Sequence, residues 1–163
     1  MPLTFVVGSA ADVFGAALAQ AVESVLRRRF PALSLGTGEP YRSEPIEFAG
    51  WQQLSKRAQR LAAVDPYQAV FVAADVGAVE TLAIPNAADP LQVASLERLL
   101  DELRRFAAAA SLPTDDVELM QLAAKYLEDD ALFHADLDVQ TYVQLMLSAK
   151  QASATRRPLW VVA

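Results

Sequence analysis

The stretch Tyr67-Gln68-Ala69-Val70-Phe71-Val72-Ala73 is the strongest strand signal in this chain. Its β-branched and aromatic residues suit a pleated, buried surface, and Pro66 suits the entry to such a strand. Asp75-Val76-Gly77 follows, and Val79–Ile84 reads as a second strand. Gly77 fits the left-handed position of a short turn, so the two strands are expected to pair antiparallel.

On the N-terminal side, Leu3–Val7 is a short apolar run closed by Gly8, the pattern of a buried strand. From Asp12 the pattern turns helical, with Phe14, Leu18, Ala21, Val22, Val25 and Leu26 on one face. Ser9 or Asp12 supplies a cap, Arg27, Arg28 and Arg29 suit the negative end of the helix dipole, and Pro31 stops it. Residues 31–50 hold Pro31, Gly36, Gly38, Pro40, Pro45 and Gly50. They read as a surface excursion with a short strand near Ile46–Phe48 and another near Leu33–Leu35. Trp51, Leu54, Ala58 and Leu61 then recur at helical spacing, giving a helix to about Val64.

On the C-terminal side, residues 91–153 read as three consecutive helices. Ser95 caps the first, whose stripe is Leu96, Leu99, Leu100, Leu103 and Phe106. Thr114 caps the second, with Asp115, Asp116 and Glu118 in its first turn and Val117, Met120, Ala124 and Leu127 turned inward. Asp138 caps the third, which carries Val139, Tyr142, Val143, Met146 and Leu147. Pro158 opens a closing strand, Leu159–Val162. The expected fold is a single α+β domain over residues 1–163, with a mixed α/β arrangement as the variant. Its small sheet, mostly antiparallel or mixed, has about four or five strands packed with about five helices.

At 163 residues and 17.6 kDa the chain removes about 70% of its unfolded surface from water on folding. Apolar residues make up 53% of it, and 31 residues are alanine. Alanine favours helices and carries little apolar surface, so the excess argues for helices and against a membrane role. No run reaches the roughly 18 apolar residues of a spanning segment. The first residues lack a basic leader and a cleavage site, which argues against a signal peptide. There is no cysteine, so no disulfide reports on compartment, and a cytoplasmic location is the default expectation. Alanine and arginine are abundant and lysine scarce, a bacterial type of composition.

The net charge is −6 and unevenly spread. Between Thr114 and Asp138 stand Asp115, Asp116, Glu118, Glu128, Asp129, Asp130, Asp136 and Asp138 against Lys125 alone. Such a region repels a phosphate backbone, so nucleic-acid binding is not expected. A basic protein or a cation is the more natural partner.

Three of these carboxylates suit a helix start and Asp138 suits a cap, which leaves Glu128, Asp129, Asp130, His134 and Asp136 around the following loop. They read as a docking surface for a basic protein, as a weak divalent-cation site built from oxygens with His134, or as a solvated acidic face. A calcium loop starting at Asp136 fails: it lacks the mid-loop glycine and has Leu147 where the glutamate belongs. With one histidine and no cysteine, a nitrogen–sulfur zinc site is also excluded within one chain. His134 as a general base lacks a nucleophile turn, and the nearby Asp136 favours its charged form. No catalytic residue, metal site or cofactor is therefore assigned.

Gly8, Ser9 and Asp12 join the first strand to the first helix, where backbone N–H groups can hold an anion. The dinucleotide and phosphate-loop patterns both fail there, and Asp12 would repel phosphate. The plainer reading is a capped strand–helix turn. Arg27, Arg28, Arg29, Arg42, Lys56, Arg57 and Arg60 make the N-terminal third mildly basic, leaving a homo-oligomer open in which this part meets the acidic region of a second copy. Trp51 and Trp160 read as core anchors.

The expected function is a non-enzymatic, cytoplasmic protein-binding module of inhibitor, immunity or adaptor type, acting through the acidic surface around residues 114–138. The alternative is a small-ligand or nucleotide-binding α/β domain, with or without enzymatic activity, that uses the Gly8–Asp12 turn.

Overall fold

Alternation along β1 (Pro2–Val7) decides what lies on each side of the sheet. Leu3, Phe5 and Val7 belong to one buried cluster and Val6 to another on the opposite face. The same two-residue period sorts Ala69 and Phe71 from Val70 and Val72, and Leu159 and Val161 from Trp160. These strands read as continuous apolar runs because both of their faces are covered. The structure is a computed structural model and describes residues 1–36, 38–129, 131 and 135–163.

The chain continues through a 3-10 turn (Ala10–Asp12), α1 (Ala16–Arg29), β2 (Tyr41–Arg42) and β3 (Ile46–Glu47). Next come α2 (Phe48–Ser55), α3 (Gln59–Ala62), β4 (Ala69–Val72), β5 (Glu80–Leu82) and β6 (Leu91–Ser95). It ends with α4 (Leu96–Ala110), α5 (Asp116–Glu128), a long helix α6 (Leu137–Thr155) and β7 (Leu159–Val162). The strands form one mixed sheet in the order β2-β1-β7-β4-β6-β5, with β3 also on β1. The arrangement is α+β, as expected. Among the described residues it has seven strands rather than four or five, and six α-helices.

β2 and β3 share one edge of β1, at Val6↔Arg42 and Leu3↔Ile46. Ser43 fills the gap between them: its N–H donates to Phe5 O and its Oγ accepts from Phe5 N–H, both at 2.9 Å. Pro45, unable to donate to a ladder, follows at this broken edge. The closing strand β7 lies antiparallel between β1 and β4. Among the described strands only β4 and β6 run parallel.

Five sequence expectations are corrected. β5 pairs with β6, at Thr81↔Gln92, rather than with β4. The missed strand β6 inserts between them, because Leu91–Ser95 runs directly into the stripe of α4 and sounds helical. No strand forms at Leu33–Leu35, although both leucines are buried. The helix expected from Trp51 to Val64 breaks into α2 and α3 around Arg57, yet Trp51, Leu54, Ala58 and Leu61 are all buried as anticipated. Two caps move by a residue or two: Asp115, not Thr114, caps α5, and Asp136, not Asp138, stands at the N-cap of α6.

Helices α2 to α6 cover the face bearing Phe5 and Phe71, whereas α1 lies on the face bearing Val70 and Trp160. α6 is the hub. Tyr142, Val143, Leu145, Met146 and Ala149 are buried, and so are Gln140, Thr141, Gln144 and Ser148, so burial runs almost all round it. α2 crosses it at Gly50, where a Cβ would overlap Thr141 Oγ1 and the Leu137 carbonyl. Arg57 joins three elements, lying 4.6 Å over the Phe106 ring of α4 and 3.6 Å from Asp138 of α6. No described helix is long and apolar enough to cross a membrane.

Candidate functional site: the outer face of the fifth helix

α5 begins at Asp115, whose carboxylate accepts from Val117 N–H (3.0 Å) and Glu118 N–H (3.2 Å). Asp116 and Glu118 follow in the first turn, where negative charge complements the helix dipole. The start of α5 is tied to α6 by three contacts. The Tyr142 hydroxyl donates to Pro113 O (2.6 Å), Lys150 Nζ donates to Thr114 O (2.7 Å), and Lys150 pairs with Asp116.

The inward face of α5 consists of Leu119 and Tyr126, both buried, with Leu122 and Ala123 half-buried beside them. This reverses the sequence expectation. Val117, Met120 and Leu127 were read as core residues, yet they are exposed by 61%, 62% and 57%, and Ala124 between them is exposed as well. α5 is apolar on two opposite sides, and periodicity alone cannot choose which one faces in. Tyr126, an aromatic in register with Leu119 and Leu122, is the sequence signal that marks the buried side.

Carboxylates frame the exposed stripe, with Asp115 and Asp116 at its start and Glu128 and Asp129 at its end, all exposed. Of the five residues singled out around the following loop, Glu128, Asp129 and Asp136 fall in the described structure, while Asp130 and His134 lie outside the described residues. Asp129 Oδ1 accepts from Ala131 N–H (3.0 Å) just after the helix. Asp136 Oδ2 accepts from the Tyr126 hydroxyl (3.4 Å). Burial, followed by the negative charge of Asp136, pushes the Tyr126 phenol up to about 12. Asp138 pairs with Arg57 at 3.6 Å, and its charge adds to the upward push on Tyr126. Among the described residues, no cluster of three carboxylates or imidazoles is spaced to hold a metal ion.

The Gly8–Asp12 turn is bonded to itself and to the end of the chain. Asp12 Oδ2 accepts from Ser9 N–H (2.8 Å) and Ser9 Oγ–H (3.0 Å), and lies 3.7 Å from the buried Arg157. Arg42 Nη2 donates to Asp12 O, and the Trp160 indole donates to Gly8 O. A Cβ on Gly8 would meet the Asp12 carboxylate, so glycine there lets Asp12 hold its two Ser9 bonds. These groups act as a capping box for the 3-10 turn, and α1 starts later, at Ala16 with Gly15 as its N-cap.

Beside that turn lies a cleft of about 710 Å³. It opens between α1 (Leu18, Ala21), the segment Ile84–Leu91 and Trp160. Beside α1 the segment Ile84–Leu91, rather than a second helix, covers this sheet face, and the cleft lies between the two. A polar depression at the carboxyl ends of β4 and β6 is bordered by Asp75, Glu97, Arg98, Arg104 and Arg156. Two of its bases are engaged nearby: Arg98 Nη1 donates to Gly77 O, and Arg104 pairs with Asp101.

Several bases of the N-terminal third also find partners within the chain. Arg29 pairs with Glu80, Arg57 with Asp138, and Arg60 lies 4.0 Å from Glu102. No known protein family, curated protein or solved structure matches this chain.

Proposed function

We propose that this protein is a non-enzymatic protein-binding module that engages a basic partner through the acidic surface around residues 114–138. The observation that carries this reading is the exposure of Val117, Met120 and Leu127 on one side of α5, framed by carboxylates. A solvated helix face has no physical reason to present three large apolar side chains in a row, whereas a docking face does. Apolar contacts hold a bound partner and the surrounding charge steers its approach. An inhibitor, immunity or adaptor role fits such a surface, and a cytoplasmic setting goes with it.

The test is capture from an extract of the source cells, comparing the native chain with a charge-reversed variant, Glu128→Lys with Asp129→Lys and Asp136→Lys. The native chain should retain a basic protein at low salt and release it at high salt, and the variant should not retain it. Equal retention by both, or none by the native chain at low salt, overturns the reading.

One observation favours a second reading, a small-ligand-binding domain: the cleft of about 710 Å³ beside the Gly8–Asp12 turn, a size typical of ligand pockets. Its ligand would be apolar, given Phe14, Leu18, Ile84 and Trp160 in the walls. A panel of apolar metabolites should then raise the melting temperature, and Ala21→Trp, which fills the cleft, should remove the shift. No shift with any compound overturns it.

A further inference from the structure

The apolar stripe on α5 has a geometry that specifies more than charge. Val117, Met120, Ala124 and Leu127 stand at offsets of 0, 3, 7 and 10, the seam positions of two helical heptads. Such a row lies along one side of a helix and matches the same row on a second helix laid lengthwise against it. Ala124 is the smallest of the four and sits between Met120 and Leu127, which leaves a hollow for a bulky side chain from the partner. Met120 adds a flexible, polarizable surface that adapts to such a side chain.

The ends of the stripe set the charge of what it accepts. Asp115, which caps the helix, and Asp116, which pairs with Lys150, lie at one end and Glu128 and Asp129 at the other, separated by about 18 Å along the axis. A second copy of α5 is a poor occupant: antiparallel docking would set Asp115 and Asp116 against Glu128 and Asp129, and parallel docking would stack each acid on its own kind. A helix with lysine or arginine at both ends complements the face in either direction.

We infer that α5 receives one amphipathic helix of a partner protein, with apolar residues at the same heptad spacing and basic residues bracketing them. The inference rests on the reading of the acidic surface as a protein-binding face, and it adds the partner's shape, length and charge.

Fluorescence anisotropy with a labelled synthetic peptide of about five helical turns tests it. The peptide carries leucines at offsets 0, 3, 7 and 10 and lysines at both ends. One control replaces the lysines by glutamates, and another moves the leucines off the heptad positions. The lysine peptide should bind the native chain at low salt, bind at least about tenfold more weakly to Met120→Asp, and outcompete both controls. Met120 is mostly exposed, so the variant should retain the native circular dichroism spectrum.

Failure of the lysine peptide to bind, equal binding by either control, or undiminished binding to Met120→Asp overturns the helix-docking inference. If the peptide fails while the full chain still captures a basic partner in the charge-sensitive manner described above, only the inference falls. If charge reversal leaves capture and peptide binding both unchanged, the acidic-surface reading falls with it.

Discussion

Leu119 and Met120 are neighbours in sequence that face opposite media: Leu119 is fully buried where α5 packs on α6, and Met120 is 62% exposed. Leu119→Ala should therefore lower stability by about 2–4 kcal/mol through lost burial and a cavity. Met120→Ala should change it by no more than about 0.5 kcal/mol. Urea denaturation of the two variants checks this, and comparable losses would mean that α5 is rotated from the orientation described.

The same pair shows where sequence reasoning stopped. The stripe of α4 was legible because only one side of that helix is apolar, so Leu96, Leu99, Leu103 and Phe106 could face only inward. α5 offered two apolar sides, and the wrong one was read as core. β1, β4 and β7 were legible from short apolar runs, whereas β6 was hidden because it passes into α4 at Ser95 without a turn. Strand pairing was not legible at all: nothing local to Glu80–Leu82 says that its neighbour is the following strand rather than the preceding one. The acidic region itself was plain in the sequence, but the exposed apolar residues Val117, Met120 and Leu127 beside it were expected in the core.

Gly50 tests the packing of α2 on α6. In an isolated helix, alanine would be favoured over glycine by about 1 kcal/mol. Here the added Cβ meets the Leu137 carbonyl, a backbone group that cannot swing aside. Gly50→Ala should thus destabilise the fold by about 1–3 kcal/mol despite its better propensity. A thermal melt at or above the native temperature would contradict the close crossing.

The alkaline limb of stability should report Tyr126 and Tyr142. Burial pushes both phenols up to about 12, with Asp136 adding to the effect at Tyr126. A folded-state value raised above the ordinary 10.0 means that the contribution is whole below pH 10 and is lost as pH climbs through about 12. Stability should fall across that window in the native chain and fall less steeply in Tyr126→Phe with Tyr142→Phe, as read by urea midpoints at successive pH values. An identical slope in the double variant would show that other groups govern it.

Asp12 is expected to act in folding. Asp12→Ala removes the acceptor of two Ser9 hydrogen bonds and leaves the buried Arg157 without its carboxylate neighbour, which should lower stability by about 1–3 kcal/mol. Asp12→Asn keeps an acceptor for Ser9 and should lose less. Equal losses in the two would mean that the charge, rather than the cap, is what the turn needs.

The most direct test of the docking face is an amide chemical-shift map of the isotope-labelled chain titrated with the lysine-ended peptide. The shifts should concentrate on residues 115–129, with the signals of Val117, Met120, Ala124 and Leu127 moving most, while those around Leu18 and Trp160 stay still. A map centred on the cleft beside α1, or one with no localised change at saturating peptide, would contradict the claim that α5 is the surface through which this protein binds.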